Sequence, residues 1–343
     1  MPEVTDAVRA ADPGIREVTL TEQAARECSA VLDAVSAEFE RADDPRFLRR
    51  AGAFASALPA EVWRAVQEMR YEETAAALVI RGGPVGGADG PTPAHWKERD
   101  PAATVRQDFW LALVTAQLGD PVGWSSLQDG RLFNDILPIA GEEREQTGHS
   151  SEADLALHIE DCFSTERCDA LALLCLRNHD RVPNSLVSAA ALDLASLDLD
   201  TLFAPRFLIM PDSEHLRRVA GTPEASGRLS PLMFGSRDAP YLCVDLPYTR
   251  PLPGDERAAK ALEGLAGQLD GSATTLTLAE GDLLLVDNYR ALHGRGTFRP
   301  RYDGTDRWMR KLTAVRDLRR SRALRTGPDD RVIDPFATLT ATG

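Results

Sequence analysis

The stretch DLALHIEDCF, Asp154 to Phe163, alternates apolar and polar side chains and then sets a histidine and a glutamate two places apart. Read as a β-strand, its period of two puts His158 and Glu160 on one face, with Leu155, Leu157 and Ile159 on the other. An imidazole and a carboxylate then address one point in space. The pattern predicts a sheet that carries its chemistry on a strand end.

On both sides of this stretch the second half of the chain reads as short strand segments broken by Gly, Pro, Asp and Asn. WSSLQD, RLFNDILPI, LALHIE, ALALLCLR, SLVSAA, RFLIM, LMFG, YLCVDL, TTLTLAE, DLLLVDN and WMRKLTAVRD are the candidates. They lack the regular helical crossovers that parallel pairing needs, so a rolled antiparallel sheet is expected rather than a doubly wound fold. SLVSAAALDLASLDLDTLFAPRF is expected to hold a short helix, and the polar tract 212–230 a mobile loop over the open end of the sheet. The first half differs. Residues 21–40 place Ala24, Cys28, Val31, Leu32, Val35 and Phe39 at helical spacing; a second helix is expected over about 46–70, a strand over 76–81, and a helix in TVRQDFWLALVTAQLG ended by Gly119 and Pro121.

Composition narrows the partners. A chain of 343 residues, 43% hydrophobic, can bury a substantial core, and a formal charge of −14 disfavours nucleic acid and anionic membrane. No apolar run is long enough to span a bilayer, and the start MPEVTDAVRAADPG lacks the basic and apolar regions of a signal peptide. The expectation is a cytoplasmic protein with a small-molecule partner, without nucleic acid or membrane. Five cysteines, Cys28, Cys162, Cys168, Cys175 and Cys243, show no paired spacing and read as buried thiols. No internal repeat, G-x-G-x-x-G or Walker sequence occurs.

Of six histidines, His158 and His293 lie in strand-like sequence beside acidic groups; His95, His179 and His215 lie in loop-like sequence and read as surface groups. DLLLVDNYRALHG leads an apolar strand through Asp287, Asn288 and Arg290 to His293. Two imidazoles and one carboxylate form a set suited to non-haem Fe(II), with open positions for a bidentate co-substrate and dioxygen. A zinc hydrolase would use similar ligands. Fourteen residues after His293, Arg307 offers the planar fork that holds a carboxylate.

These pieces together, with FNDILP at 133–138, EQTGHSSEADLALHIEDCF at 145–163, LALLCLRN at 171–178, APYLCVDL at 239–246 and GDLLLVDNYRALHGR through RPRYDGTDRWMRKL at 281–312, resemble the clavaminate synthase-like Fe(II)/2-oxoglutarate-dependent oxygenases, and within them the hydroxylases of free L-amino acids. The resemblance spans roughly 70–320. It implies a mixed α+β fold, a double-stranded β-helix (jelly-roll) core with flanking helices and a lid segment. The expected organisation is one oxygenase domain over 1–320, with a helical layer at about 15–120 and the jelly-roll at about 122–320, followed by a loosely held tail at 321–343.

The same resemblance implies His158, Glu160 and His293 as iron ligands and Arg307 as the anchor of 2-oxoglutarate, with O2 as the second co-substrate. It implies Gln128 and Glu160 at the substrate amine, Asp245 at a cationic side chain, and Lys311, with Arg310 beside it, at the substrate carboxylate. A second aspartate found in arginine hydroxylases is Pro247 here. The implied activity is a dioxygenase that hydroxylates Cβ of an arginine-like or cyclic-guanidine amino acid in natural-product (antibiotic) biosynthesis, as monomer or homodimer. Desaturation, cyclisation or γ-hydroxylation of a related amino acid is the alternative within the family.

Overall fold

The computed structural model describes residues 12–217 and 227–337. The N-terminal residues 1–11, the central part of the expected mobile loop and the last six residues of the tail lie outside them. Strand periodicity organises what is described. In Ala170–Arg177, Ala170, Ala172, Leu174 and Leu176 face one way and Leu171, Leu173 and Cys175 the other; Ala77–Arg81 and Leu283–Asp287 divide in the same manner. Each strand therefore serves two apolar clusters.

The larger sheet has eight strands. Ile15–Thr19, Ala77–Arg81, Leu283–Asp287, Ala170–Arg177, Trp308–Val315, Asp120–Trp124 and Val332–Ile333 lie side by side in that order, and Asn134–Ile136 also pairs with Trp308–Val315. One face carries the helical layer. There Glu22–Glu38, capped by the Thr21 hydroxyl, and the almost wholly buried Val105–Thr115 pack with Phe47, Phe109 and Trp110. The smaller sheet runs Thr274–Leu276, Asn184–Ser188, Ala291–Arg295, Leu155–His158. The inner faces of both sheets share one cluster, in which Leu171, Leu173, Val286 and Met309 meet Leu186, Leu276 and Ala291. The result is the expected mixed α+β architecture, with two open facing sheets rather than a closed barrel.

Several local expectations are corrected. The helix expected over 46–70 is three short pieces, Pro45–Leu48, Ala51–Ala55 and Ala60–Gln67, ending in a π-type turn at Glu68–Glu72; Pro59 interrupts it and Glu73, at φ 52°, stops it. WSSLQD is not a strand. Pairing covers Asp120–Trp124 and stops at its first residue, and Gln128 and Asp129 then turn the chain at φ 43° and 58°. His293 does not end the DLLLVDN strand but sits on the next one, across the DNYR turn, in the other sheet. Helix Glu256–Ser272 falls in a stretch to which the sequence reading assigns neither strand nor helix. Asp255 caps it, and Ala258, Ala261, Leu265 and Leu269 cover the outer face of the smaller sheet. Residues 321–337, the described part of the expected tail, are docked, not loose: Val332–Ile333 adds a parallel strand to Asp120–Trp124, and Ser321, Arg325 and Ile333 are buried.

Candidate active site

Antiparallel pairing sets His158 opposite His293, with ring centres 4.3 Å apart. Their strands approach so closely that a Cβ on Gly294 would meet the Leu155 carbonyl oxygen at 2.6 Å, so the residue beside His293 has to be glycine. Ile159 donates its N–H to the Val244 carbonyl at 2.9 Å, which carries strand parity one residue further and brings Glu160 to the same face. Its own side chain is fully buried behind, with Leu157 and Leu292. Asp161, at φ 54°, then turns the chain away.

Asn288 fixes the backbone of Glu160 from both ends. Its Oδ1 accepts from the Glu160 N–H at 2.8 Å, and its Nδ2 donates to the Glu160 carbonyl at 3.0 Å and the Cys168 carbonyl at 2.9 Å. It is a support of the site. Arg290 is not: its guanidinium turns outward to the backbone of residues 73 and 75.

Donor atoms of His158, Glu160 and His293 all lie within 4.8 Å of one another. The set fits a borderline divalent metal. His158 Nδ1 lies 2.9 Å from the Ala156 carbonyl, which turns Nε2 to the Glu160 carboxylate at 3.6 Å, and His293 Nε2 is 3.2 Å from that same carboxylate. Burial opposes charge on the His158 ring, but Glu160 and Asp245 push its pKa up to about 9, so a metal would bind there by displacing the Nε2 proton. Burial alone would raise the Glu160 pKa; the Lys311 ammonium, ion-paired with its Oε1, and the two imidazoles hold it well below the usual range. Burial, then the neighbouring His158, push His293 down to about 4, so it stands neutral as a ligand must.

The cavity beside this cluster is charged in two halves. On one side Arg307 is buried, donates Nη2 to Asn184 Oδ1 at 2.8 Å, and leaves Nε without a partner among the described residues. No carboxylate answers it there, and burial lowers its pKa to about 10. Arg295 lines the same wall, its guanidinium held by the Ser150 and Ala153 carbonyls. Sequence reasoning passed over Arg295, although it shares parity with His293 two residues before. On the other side stand Asp245, Asp212 and Glu214. Burial pushes the Asp245 carboxyl up to about 7 against the pull of His158, with Asp212 and Glu160 adding to the rise.

Three sequence assignments change. Arg310 does not face the cavity: Met309 and Lys311 of strand Trp308–Val315, with Arg307 just before it, line the cavity, and Arg310 falls on the strand's other side. It is buried against Asp108 at 2.7 Å and Asp135 at 2.8 Å. Gln128 is buried but absent from the cavity wall; its amide is spent on the Asp135 backbone, with bonds of 2.8 and 2.9 Å. His215 is fully buried and bonded to Asp161, not a surface group, whereas His95 is half-buried and His179 exposed. His149 is buried behind Gly148, its Nδ1 bonded to the Leu137 carbonyl at 3.0 Å. Replacing Arg310 by Ala strands Asp108 as a buried charge and leaves Asp135 with Arg99 as its one cationic partner among the described residues, and denaturant unfolding should register a loss of about 3–5 kcal/mol. An Arg310→Ala protein of normal stability but weakened ligand binding would return Arg310 to the site.

Comparison with known proteins gives the cluster its context. The family model described as taurine catabolism dioxygenase TauD, TfdA family matches residues 230–313. Enduracididine β-hydroxylase of Streptomyces hygroscopicus is 38% identical over 326 residues, 89% of this chain and 95% of the relative. L-ornithine/L-arginine 3-hydroxylase of Catenulispora acidiphila is 34% identical, over 93% of this chain and all of the relative. The crystal structure of the non-heme iron oxygenase OrfP with Fe, succinate and (3S)-hydroxy-L-Arg superposes with a TM-score of 0.84 at 35% identity, covering 92% of this chain and 99% of that one. Another OrfP structure contains Fe and alpha-ketoglutaric acid. Near-complete coverage at this identity, with a two-histidine, one-carboxylate cluster on the paired strands, places the chain among the Fe(II)/2-oxoglutarate oxygenases of the TauD/clavaminate synthase-like family, close to the arginine and ornithine hydroxylases.

Proposed function

We propose that this dioxygenase hydroxylates Cβ of a free, basic L-amino acid of the arginine, ornithine or enduracididine type, within antibiotic biosynthesis in the cytoplasm. One observation carries the reading: a single cavity joins the His158–Glu160–His293 cluster to an unanswered guanidinium on one side and three carboxylates on the other. An anionic co-substrate and a cationic substrate can be held at once, on opposite sides. Similarity to hydroxylases of enduracididine and of ornithine and arginine supports the same substrate class.

In this reading His158, Glu160 and His293 hold iron, which with 2-oxoglutarate and O2 supplies the oxidising chemistry. The chain supplies placement. Arg307 takes the distal carboxylate of 2-oxoglutarate in its fork, and burial of that guanidinium makes an unpaired state costly. Lys311 orients Glu160 by its ion pair and presents positive charge to the substrate carboxylate. Lacking a planar fork, it fixes that group as a point charge. Asp245 answers the substrate's cationic side chain, and Asp212 and Glu214 provide acidic groups that compensate for Pro247. Surrounding apolar wall from Leu127, Ile136, Leu173 and Met309 keeps water from the C–H bond under attack.

The test is a panel of L-arginine, ornithine, lysine, citrulline, asparagine, glutamine and cyclic-guanidine amino acids, scored by succinate release and product mass. Turnover is expected for the cationic members and the cyclic guanidines; turnover confined to the neutral ones would sink the reading. Asp245→Asn should raise KM for the cationic amino acid about 10- to 100-fold, the value of about 1.5–3 kcal/mol for a charged hydrogen bond. KM for 2-oxoglutarate should stay put. Equal losses for both would remove Asp245 from the substrate side.

A further inference from the structure

Two of the carboxylates on the cavity wall, Asp212 and Glu214, belong to a short turn of helix, Ser213–Leu216, whose other contacts are weak. Among the described residues Arg217 beyond it makes only exposed ion pairs, with Glu142 and Glu145, of the kind worth little in water. Glu214 comes no nearer to His149 than 3.9 Å, and Ser213 N–H reaches the Tyr248 hydroxyl at 3.3 Å. What secures the turn is His215. Its Nε2–H donates to Asp161 Oδ1 at 2.9 Å, and its Nδ1 shares a hydrogen bond with the Ser126 hydroxyl at 2.7 Å. The ring is fully buried, edge-on to Phe163 at 4.6 Å and Trp124 at 5.7 Å. Asp161 is itself anchored, because its second oxygen accepts from Trp124 Nε1 at 2.6 Å. Asp161 follows Glu160 directly in the chain, and the His215 N–H closes on the Asp212 carboxylate at 2.9 Å.

We propose that His215 is a positioning residue for the amino-acid substrate: it latches the turn bearing Asp212 and Glu214 to the Asp161 corner beside the metal cluster, and so fixes the acidic half of the cavity relative to Glu160. The inference rests on the function proposed above for the role of those carboxylates. The latch itself stands on the Ser126–His215–Asp161–Trp124 chain. Two buried hydrogen bonds are lost when the imidazole is removed, enough to let a turn with few other ties among the described residues move by more than the fraction of an ångström that substrate placement tolerates. Because the latch ends on the side chain of Asp161, while Asn288 independently fixes the backbone of Glu160, its loss should spare the iron and 2-oxoglutarate sites.

The experiment compares His215→Ala, His215→Gln and Ser126→Ala with the wild-type enzyme loaded with Fe(II) and 2-oxoglutarate. For His215→Ala, KM for the cationic amino acid should rise about tenfold, and succinate should outrun hydroxylated product. The anaerobic Fe(II)/2-oxoglutarate absorption band should keep its intensity. His215→Gln, which can still donate to Asp161, should recover part of the coupling, and Ser126→Ala should shift the same quantities less. Hydrogen exchange of the peptide spanning 212–217 should quicken in His215→Ala whatever the substrate proves to be. Unchanged amino-acid KM and coupling, with only lower thermal stability, would make His215 merely structural and overturn the proposal. Loss of the absorption band would overturn it too, by placing the effect on the metal. If wild type itself releases no succinate with any cationic amino acid, the proposed substrate class fails instead, and unchanged exchange at 212–217 would be needed to remove the latch.

Discussion

A His293→Ala protein is expected to fold with near-wild-type stability, show no Fe(II)/2-oxoglutarate charge-transfer band, and lose at least about a thousandfold in turnover, roughly 4 kcal/mol of barrier. The reasoning is geometric. His293 Nδ1 has no partner among the described residues, and the ring's contacts are with Glu160 and His158. Removing it therefore costs the fold little, whereas the metal loses one of only three protein ligands. Ala is also the least disruptive choice beside Gly294, where the neighbouring strand leaves no room for rearrangement. Visible absorption under anaerobic conditions, with circular dichroism to show folding, checks it; a folded variant with normal band and turnover would remove His293 from the ligand set.

The second large effect is expected at Arg307. Its guanidinium is buried with a single amide partner, so its desolvation is compensated chiefly when a carboxylate arrives. Truncating one member of a buried charge pair costs about 2–5 kcal/mol, so Arg307→Leu should weaken 2-oxoglutarate binding about 30- to several-thousandfold. Arg307→Lys keeps charge but not the fork, and should fall between. The apparent Kd for 2-oxoglutarate, read from the same absorption band, measures both. A change below about threefold in Arg307→Leu would mean that another group, Arg295 foremost, holds the co-substrate.

What could be read from the chain, and what could not, follows from how local each relation is. His158 and Glu160 are two residues apart, and strand parity alone aims them together. That His293 faces His158 depends on the pairing of segments 135 residues apart, a register no single strand carries; the chain alone offers His293 only as a second histidine in strand-like sequence beside acidic groups. Parity misled where it was not applied. Arg310 sits between Met309 and Lys311, and the alternation that explains HIE also sends Arg310 to the helical side, into Asp108 and Asp135. The resemblance implies Gln128 at the substrate amine, but positive φ at Gln128 and Asp129 bends the chain and commits the amide to Asp135. Helix Glu256–Ser272 was legible in principle, from Asp255 and the spacing of Ala258, Ala261, Leu265 and Leu269, but glycines at 264, 267 and 271 dilute its pattern. His215 had no such signal. Its burial is made by Trp124, Ser126, Asp161 and Phe163 arriving from two distant segments.

The most direct test of the account is turnover of the cationic amino-acid panel under isotopically labelled dioxygen, with both products analysed by mass. The account predicts one labelled oxygen on the amino acid at Cβ, one in succinate, and the two products in equal amounts, with no turnover when 2-oxoglutarate is left out. Product formed without 2-oxoglutarate, or an amino acid recovered unlabelled beside stoichiometric succinate for every cationic substrate, would contradict it.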